Sequence, residues 1–177
     1  MSKFSLIAMG GTFDIVNRGH ITLLSTAFEI SDKVIIGLTS DEFVKQKGKK
    51  PIHKYDERLK NLTLAIFKNF PDGYFEIIQL NNDFGPAVLE KEVQALVVSA
   101  ETSNQGNVLN KLRSEHSLPP VEIIAIPMFL AKDGVRISTT RIKNSEIDSD
   151  GNLLPIILIS TSNSSASGRT ITVAAEV

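Results

Sequence analysis

The feature that most constrains this chain is the passage from an apolar run into a glycine pair and from there into a helix. Phe4 to Met9 is largely apolar and reads as a buried strand that ends at Gly10-Gly11. Thr12-Phe13-Asp14 and Asn17-Arg18-Gly19-His20 follow, and then Ile21, Leu24 and Phe28 recur at helical spacing. A glycine pair lets the backbone come close to a ligand. A helix starting just behind it aims its free N–H groups and the positive end of its dipole at the same loop. Strand, glycine loop and helix together predict an anion site. His20 stands in the first helical turn, where its ring can donate to a phosphate oxygen.

The same alternation continues along the chain. Further strands are predicted over Lys33–Thr39, Tyr74–Leu80, Ala95–Ser99 and Val121–Ile126. Between them lie a short helix and loop over Asp41–Lys50 and a strong helix over Tyr55–Phe70, stopped by Pro71-Asp72-Gly73. A helix over Asn107–His116 and a last short one from Ser138 complete the pattern. The strands are continuous apolar runs rather than alternating ones. That predicts an α/β fold, a Rossmann-like doubly wound parallel sheet of about five strands with helices on both faces. Such sheets bind ligands beyond the C-terminal ends of their strands. Residues 1–154 are expected to form this domain, and residues 155–177 a weakly ordered or disordered tail, because the Ser, Thr and Asn from Ser160 to Ser167 offer no core.

Charge and cysteine content narrow the function classes. The chain has 19 basic and 20 acidic residues among 177, so neither a nucleic-acid partner nor a membrane surface is expected. With no cysteine, thiolate catalysis, disulfides and Cys-ligated zinc are excluded. The run Leu6-Ile7-Ala8-Met9 is too short for a signal peptide or a spanning helix, and a cytoplasmic location is expected.

Two later stretches carry polar chemistry. Ile137-Ser138-Thr139-Thr140 precedes Arg141, and its hydroxyls are helix N-cap types that can also hold phosphate oxygens. Ser99-Ala100-Glu101-Thr102 follows the fourth strand and leads to Gly106, Asn110 and Arg113. Arg113 is suited to grip a phosphate through its fork of donors, or to pair with Glu101 on a helix surface. Asn110 is suited to bond an adenine or a ribose. His53 and His116 match no pattern and read as exposed or capping residues.

The glycine loop resembles the Gly-Thr-Phe-Asp and His/Thr-x-Gly-His loop of the cytidylyltransferase-like superfamily, whose second motif, Ile-Ser followed by Ser or Thr, is matched at Ile137–Thr140. Asn82-Asp83-Phe84-Gly85-Pro86-Ala87, Ser99–Thr102, the Gly106–Arg113 spacing and Asp150–Leu154 further resemble the archaeal and eukaryotic phosphopantetheine adenylyltransferases. The resemblance covers residues 4 to 154. It implies adenylyl transfer from ATP to 4′-phosphopantetheine, giving dephospho-coenzyme A and pyrophosphate, with Mg²⁺ arriving on ATP and no metal ligands from the protein. It gives catalysis to His20, Asn17 and Lys45. ATP goes to Gly10, Gly11, Thr12, Phe13, Gly19 and His20, to Glu101, Asn110 and Arg113, and to Ile137–Thr140. The acceptor goes to Thr12, Lys45 and Lys47, with Lys45 preferred for the transferring phosphate.

One position departs from the pattern. Asn17 stands where the superfamily has His or Thr, and an amide has no imidazolium charge. Asn17→His is therefore expected to raise the rate strongly. Two other readings stay open at this point: another superfamily enzyme, such as a glycerol-phosphate cytidylyltransferase or FAD synthetase, and a nucleotide- or coenzyme A-binding protein weakened in catalysis by Asn17. The oligomeric state has no sequence signal.

Overall fold

The computed structural model describes residues 1–88, 90–162 and 170–176. Five parallel strands form one sheet: β1 (Phe4–Gly11), β2 (Ser31–Thr39), β3 (Phe75–Leu80), β4 (Ala95–Ser99) and β5 (Glu122–Ile126), in the order β3-β2-β1-β4-β5. The winding leaves β1 toward β2 and β3, then crosses to β4 on the far side of β1. The reversal puts a crevice at the C-terminal ends of β1 and β4, directly where the glycine loop begins. The expected doubly wound fold is the one observed.

Successive side chains of a strand face opposite sides of a sheet, and β1 shows why both sides here must be covered. Ile7 and Met9 pack with Leu24 and Ala27 of α1 (Arg18–Ile30) and with Leu62 and Ile66 of α3 (Tyr55–Asn69). Ala8 faces the other way, into a second cluster with Leu96, Val98 and Leu109, the last from α4 (Asn104–Glu115). The remaining helices are short: α2 (Asp41–Gln46) after β2, and α5 (Thr139–Lys143) after β5. Among the described residues, the crossover from β3 to β4 carries a 3-10 turn, Gly85–Val88, as its one helical element.

Strands β6 (Ile156–Ser162) and β7 (Thr170–Glu176) pair antiparallel with each other and form a sheet separate from the main one. Residues 163–169 of the tail lie outside the described residues. Among the described residues no helix is long and apolar enough to cross a membrane.

Candidate active site

A cleft of about 690 Å³ opens at the C-terminal ends of the strands. One wall is the glycine loop. Ile137–Thr140 and the lysine-bearing segment after α2 line the cleft as well.

The loop is built around Phe13. Its ring is buried and its backbone takes φ 47°, a left-handed conformation that side chains rarely adopt. A Cβ on residue 11 would sit 3.0 Å from that ring, so a side chain there would press the phenyl group out of its folded-back position. The ring in turn packs on His20, with centroids 5.0 Å apart. Arg58, fully buried on α3, fixes the loop from below. It donates to the carbonyls of Thr12 (2.9 Å) and His53 (3.2 Å), to the Thr39 hydroxyl (3.4 Å) and to Asp41 (2.8 Å). Thr39 donates to Thr12 Oγ1 at 3.3 Å, which leaves the Thr12 proton for a group in the cleft.

Asn17 is the N-cap of α1. Its Oδ1 accepts from Gly19 N (3.0 Å) and His20 N (3.3 Å), and its Nδ2 donates to the Ile15 carbonyl (3.2 Å). His20 reciprocates: Nδ1 accepts the Asn17 N–H at 3.2 Å. That bond leaves the neutral ring carrying its proton on Nε2. Burial pushes the His20 pKa down to about 4, against a smaller opposing pull from the Ile15 backbone. The ring is therefore a neutral Nε2–H donor near pH 7. Asn17 holds the first turn and orients His20, and asparagine is among the best N-caps; its side chain also lines the cleft, with one Nδ2 hydrogen beyond the bond to Ile15. Asn17→Ala is expected to cost about 1 kcal/mol of stability, the usual value of a lost cap. Asn17→His is expected to give no gain in rate, and a tenfold rise would return the side chain to the reacting phosphate.

The His20 pKa gives a separate prediction. The unfolded chain takes up a proton near pH 6.5 that the folded ring refuses until about pH 4. Its contribution to stability is therefore complete above 6.5 and is lost as pH falls toward 4. An NMR titration of the ring in ligand-free protein should find the midpoint near the lower value; a midpoint above 6 would contradict it.

Asp14 ties three segments together. Its buried carboxylate accepts from Ile52 N (2.9 Å) and His53 N (3.0 Å), meets the His53 ring at 3.1 Å, and lies 3.4 Å from Lys143 of α5. Burial by itself would raise its pKa, but the His53 and Ile52 N–H groups, the His53 ring and the Lys143 charge together hold it below its ordinary value. Lys143 also donates to the Lys50 carbonyl at 2.7 Å, fixing the lysine segment to α5. His53 is thus a structural partner of the loop rather than an unengaged surface residue.

Ser138 caps α5 by accepting the Arg141 N–H at 3.3 Å. Arg141 is engaged by Asp133, by Glu146 (3.0 Å) and by the carbonyls of Val135 (3.2 Å) and Arg136 (3.0 Å). It braces the turn that presents Ile137–Thr140. The Asp148–Asn152 turn supports the same corner, with Ser149 O accepting from Arg18 N at 3.0 Å.

Three expected ligand residues, Arg113, Asn110 and Lys45, do not line the cleft. Arg113 is fully buried and does not line the cleft. Its donors go to the carbonyls of Pro119 (2.8 Å), Ala87 (2.7 Å), Glu90 (2.8 Å) and Val93 (3.4 Å), and burial lowers its pKa. Asn110 exchanges both amide bonds with the Val121 backbone, at 3.0 and 2.8 Å. Gly106 lies against Ile123, which a Cβ would approach to 2.4 Å. Residues i, i+4 and i+7 share one helix face, and here that face is turned inward onto β5 and the crossover. Lys45 is also off the cleft: Ser40 caps α2 and turns Phe43 and Val44 inward, which leaves Lys45 on the outer side. Lys47, which the sequence ranked second, lines the cleft and pairs with Asp83. Glu101 lines it too, paired with Arg136. Arg58, Arg136 and Lys143 carry no local motif, because their partners Thr12, Glu101 and Asp14 lie far along the chain.

Fold and loop together define an α/β nucleotidyltransferase-like domain, and residues 8–145 match the cytidylyltransferase-like family. Archaeal relatives narrow this. A phosphopantetheine adenylyltransferase of Methanopyrus kandleri is 36% identical over 84% of this chain and 94% of its own. One from Pyrococcus horikoshii is 42% identical over 86% of this chain and 96% of its own. A solved structure of a protein of unknown function from Archaeoglobus fulgidus superposes with TM-score 0.61 at 25% identity, over 70% of this chain and 89% of that one. The chain belongs to the phosphopantetheine adenylyltransferase branch of the cytidylyltransferase-like family.

Proposed function

We propose that this protein transfers the adenylyl group of ATP to 4′-phosphopantetheine, forming dephospho-coenzyme A and releasing pyrophosphate. The observation that carries the reading is the cleft at the strand-order switch, which the neutral His20 donor, the Thr12 hydroxyl, Lys47 and Ser138–Thr140 line together. A phosphate oxygen of the acceptor attacks the α-phosphorus of ATP, the new P–O bond forms, and the bond to the β-phosphate oxygen breaks. No covalent enzyme intermediate is required. The protein's part is positioning and charge stabilisation. His20 Nε2–H, Thr12 and Lys47 hold the α-phosphate and the acceptor phosphate as charge builds on them, and Ser138–Thr140 face the leaving pyrophosphate.

Mg²⁺ enters this reading on the triphosphate. The carboxylates of the cleft do not fit a protein cage for it: Asp14 is taken by N–H groups and Lys143, Asp83 by Lys47, and Glu101 by Arg136. A cytoplasmic site of action accords with a substrate pair of the cell interior.

The test is pyrophosphate release with ATP or CTP against several phosphorylated acceptors. Release is expected with ATP and 4′-phosphopantetheine. Release with CTP alone, or with glycerol phosphate or a flavin mononucleotide in place of the pantetheine compound, would overturn the assignment. In the same assay Lys47→Ala is expected to lose on the order of 10-fold or more in kcat/KM, the scale of one charge-assisted phosphate contact, and Lys45→Ala to lose little. The reverse order would restore Lys45.

A further inference from the structure

We infer that Arg136 is the guanidinium that binds the leaving pyrophosphate, and that Glu101 occupies it until the phosphates arrive. This rests on the proposed triphosphate chemistry and adds to it a residue that neither the loop motif nor the Ile137–Thr140 motif contains.

Among the described residues, Arg136 differs from every other arginine. Arg58 and Arg113 are fully buried, with their donors on backbone carbonyls, a hydroxyl and Asp41. Arg141 is braced between Asp133, Glu146 and two carbonyls. Arg18 lies over the Phe129 ring, 5.5 Å from its centroid, and does not line the cleft. Arg136 alone among them is on the cleft wall, with its side chain 43% exposed, immediately before Ile137-Ser138. Its backbone is held by the bridge to Leu130 and by the bond from Arg141, so the side chain starts from a fixed point.

Its partner there is Glu101, which follows β4 and is itself 54% exposed. A half-exposed ion pair is weakly held, because water screens the attraction and both side chains lose freedom in making it. A guanidinium bound by two phosphate oxygens gains parallel, charge-assisted bonds that a single carboxylate contact does not match. Exchange of Glu101 for a phosphate is therefore favourable, and the carboxylate keeps the arginine aimed at the cleft when it is empty. The carboxylate also competes with the anion, so removing its charge should tighten anion binding.

Inorganic pyrophosphate, titrated by calorimetry into the full chain, tests this without any acceptor. Arg136→Gln is expected to weaken pyrophosphate binding by about 10-fold or more. Glu101→Gln should strengthen it by roughly 2- to 5-fold, consistent with a weak surface pair. The double variant should match Arg136→Gln. Equal pyrophosphate affinity in wild type and Arg136→Gln, both with unchanged thermal midpoints, would overturn the inference. So would weaker binding in Glu101→Gln, which would make the glutamate a ligand in its own right. Turnover of ATP with 4′-phosphopantetheine by the wild type is measured beside it: its absence would count against the proposed reaction, while the pyrophosphate titrations would still decide the role of Arg136.

Discussion

His20→Ala should lower kcat for pyrophosphate release by about 10²- to 10³-fold, the scale of losing one preorganised donor to developing charge. The thermal midpoint should fall as well, because the buried ring packs on Phe13 and accepts the capping bond from Asn17 N, so kcat is read at a temperature where the variant is folded. The reason for the large kinetic effect is preorganisation. Phe13 packs against the ring, the Asn17 N–H holds Nδ1, and burial keeps the ring neutral, so an Nε2–H donor is held in a ring that lines the cleft before substrate arrives. His20→Gln keeps an amide donor and should recover part of the rate. A loss smaller than tenfold in His20→Ala would place the main stabilisation of the α-phosphate on other groups.

Arg113→Met is expected to produce the largest loss of stability, with little kinetic change in the protein that stays folded. The guanidinium satisfies four carbonyls contributed by the β3–β4 crossover and the turn before β5. Methionine fills much of the volume but donates nothing, and buried carbonyls left unpaired cost roughly 3–5 kcal/mol together. For a chain of this size that is on the order of a 10 °C drop in thermal midpoint. Urea unfolding gives the free energy, and the KM for ATP should be unchanged. A raised KM with unaltered stability would move Arg113 back to the nucleotide.

These two residues also show where the sequence was legible. His20 could be read because everything that defines it is local: the strand, the glycine pair, the cap and the first helical turn lie within one short stretch. Arg113 was misread because its partners are carbonyls from residues 87–93 and 119, and a sequence does not show which backbone groups lack a strand neighbour. The one available clue was the spacing of Gly106, Asn110 and Arg113, which puts them on the buried face with Leu109. Asn17 teaches the converse. The motif marks it only as a departure from His or Thr; in place its amide oxygen is a helix cap, because the loop turns it back onto Gly19 and His20.

The sequence by itself determined the order of strands and helices, the parallel sheet and the anion-binding character of the glycine loop. Those depend on hydrophobic period, glycine and caps, which act over a few residues. The tertiary structure alone decided which cations reach the cleft. Burial and backbone pairing withdraw Arg58 and Arg113 into the frame, helix direction turns Lys45 outward, and the segment from Arg136 through α5 brings Arg136 to the cleft and Lys143 to Asp14, more than a hundred residues earlier in the chain. A charged side chain's role depends on its desolvation and on the partners around it, and both are set by contacts between segments far apart in sequence.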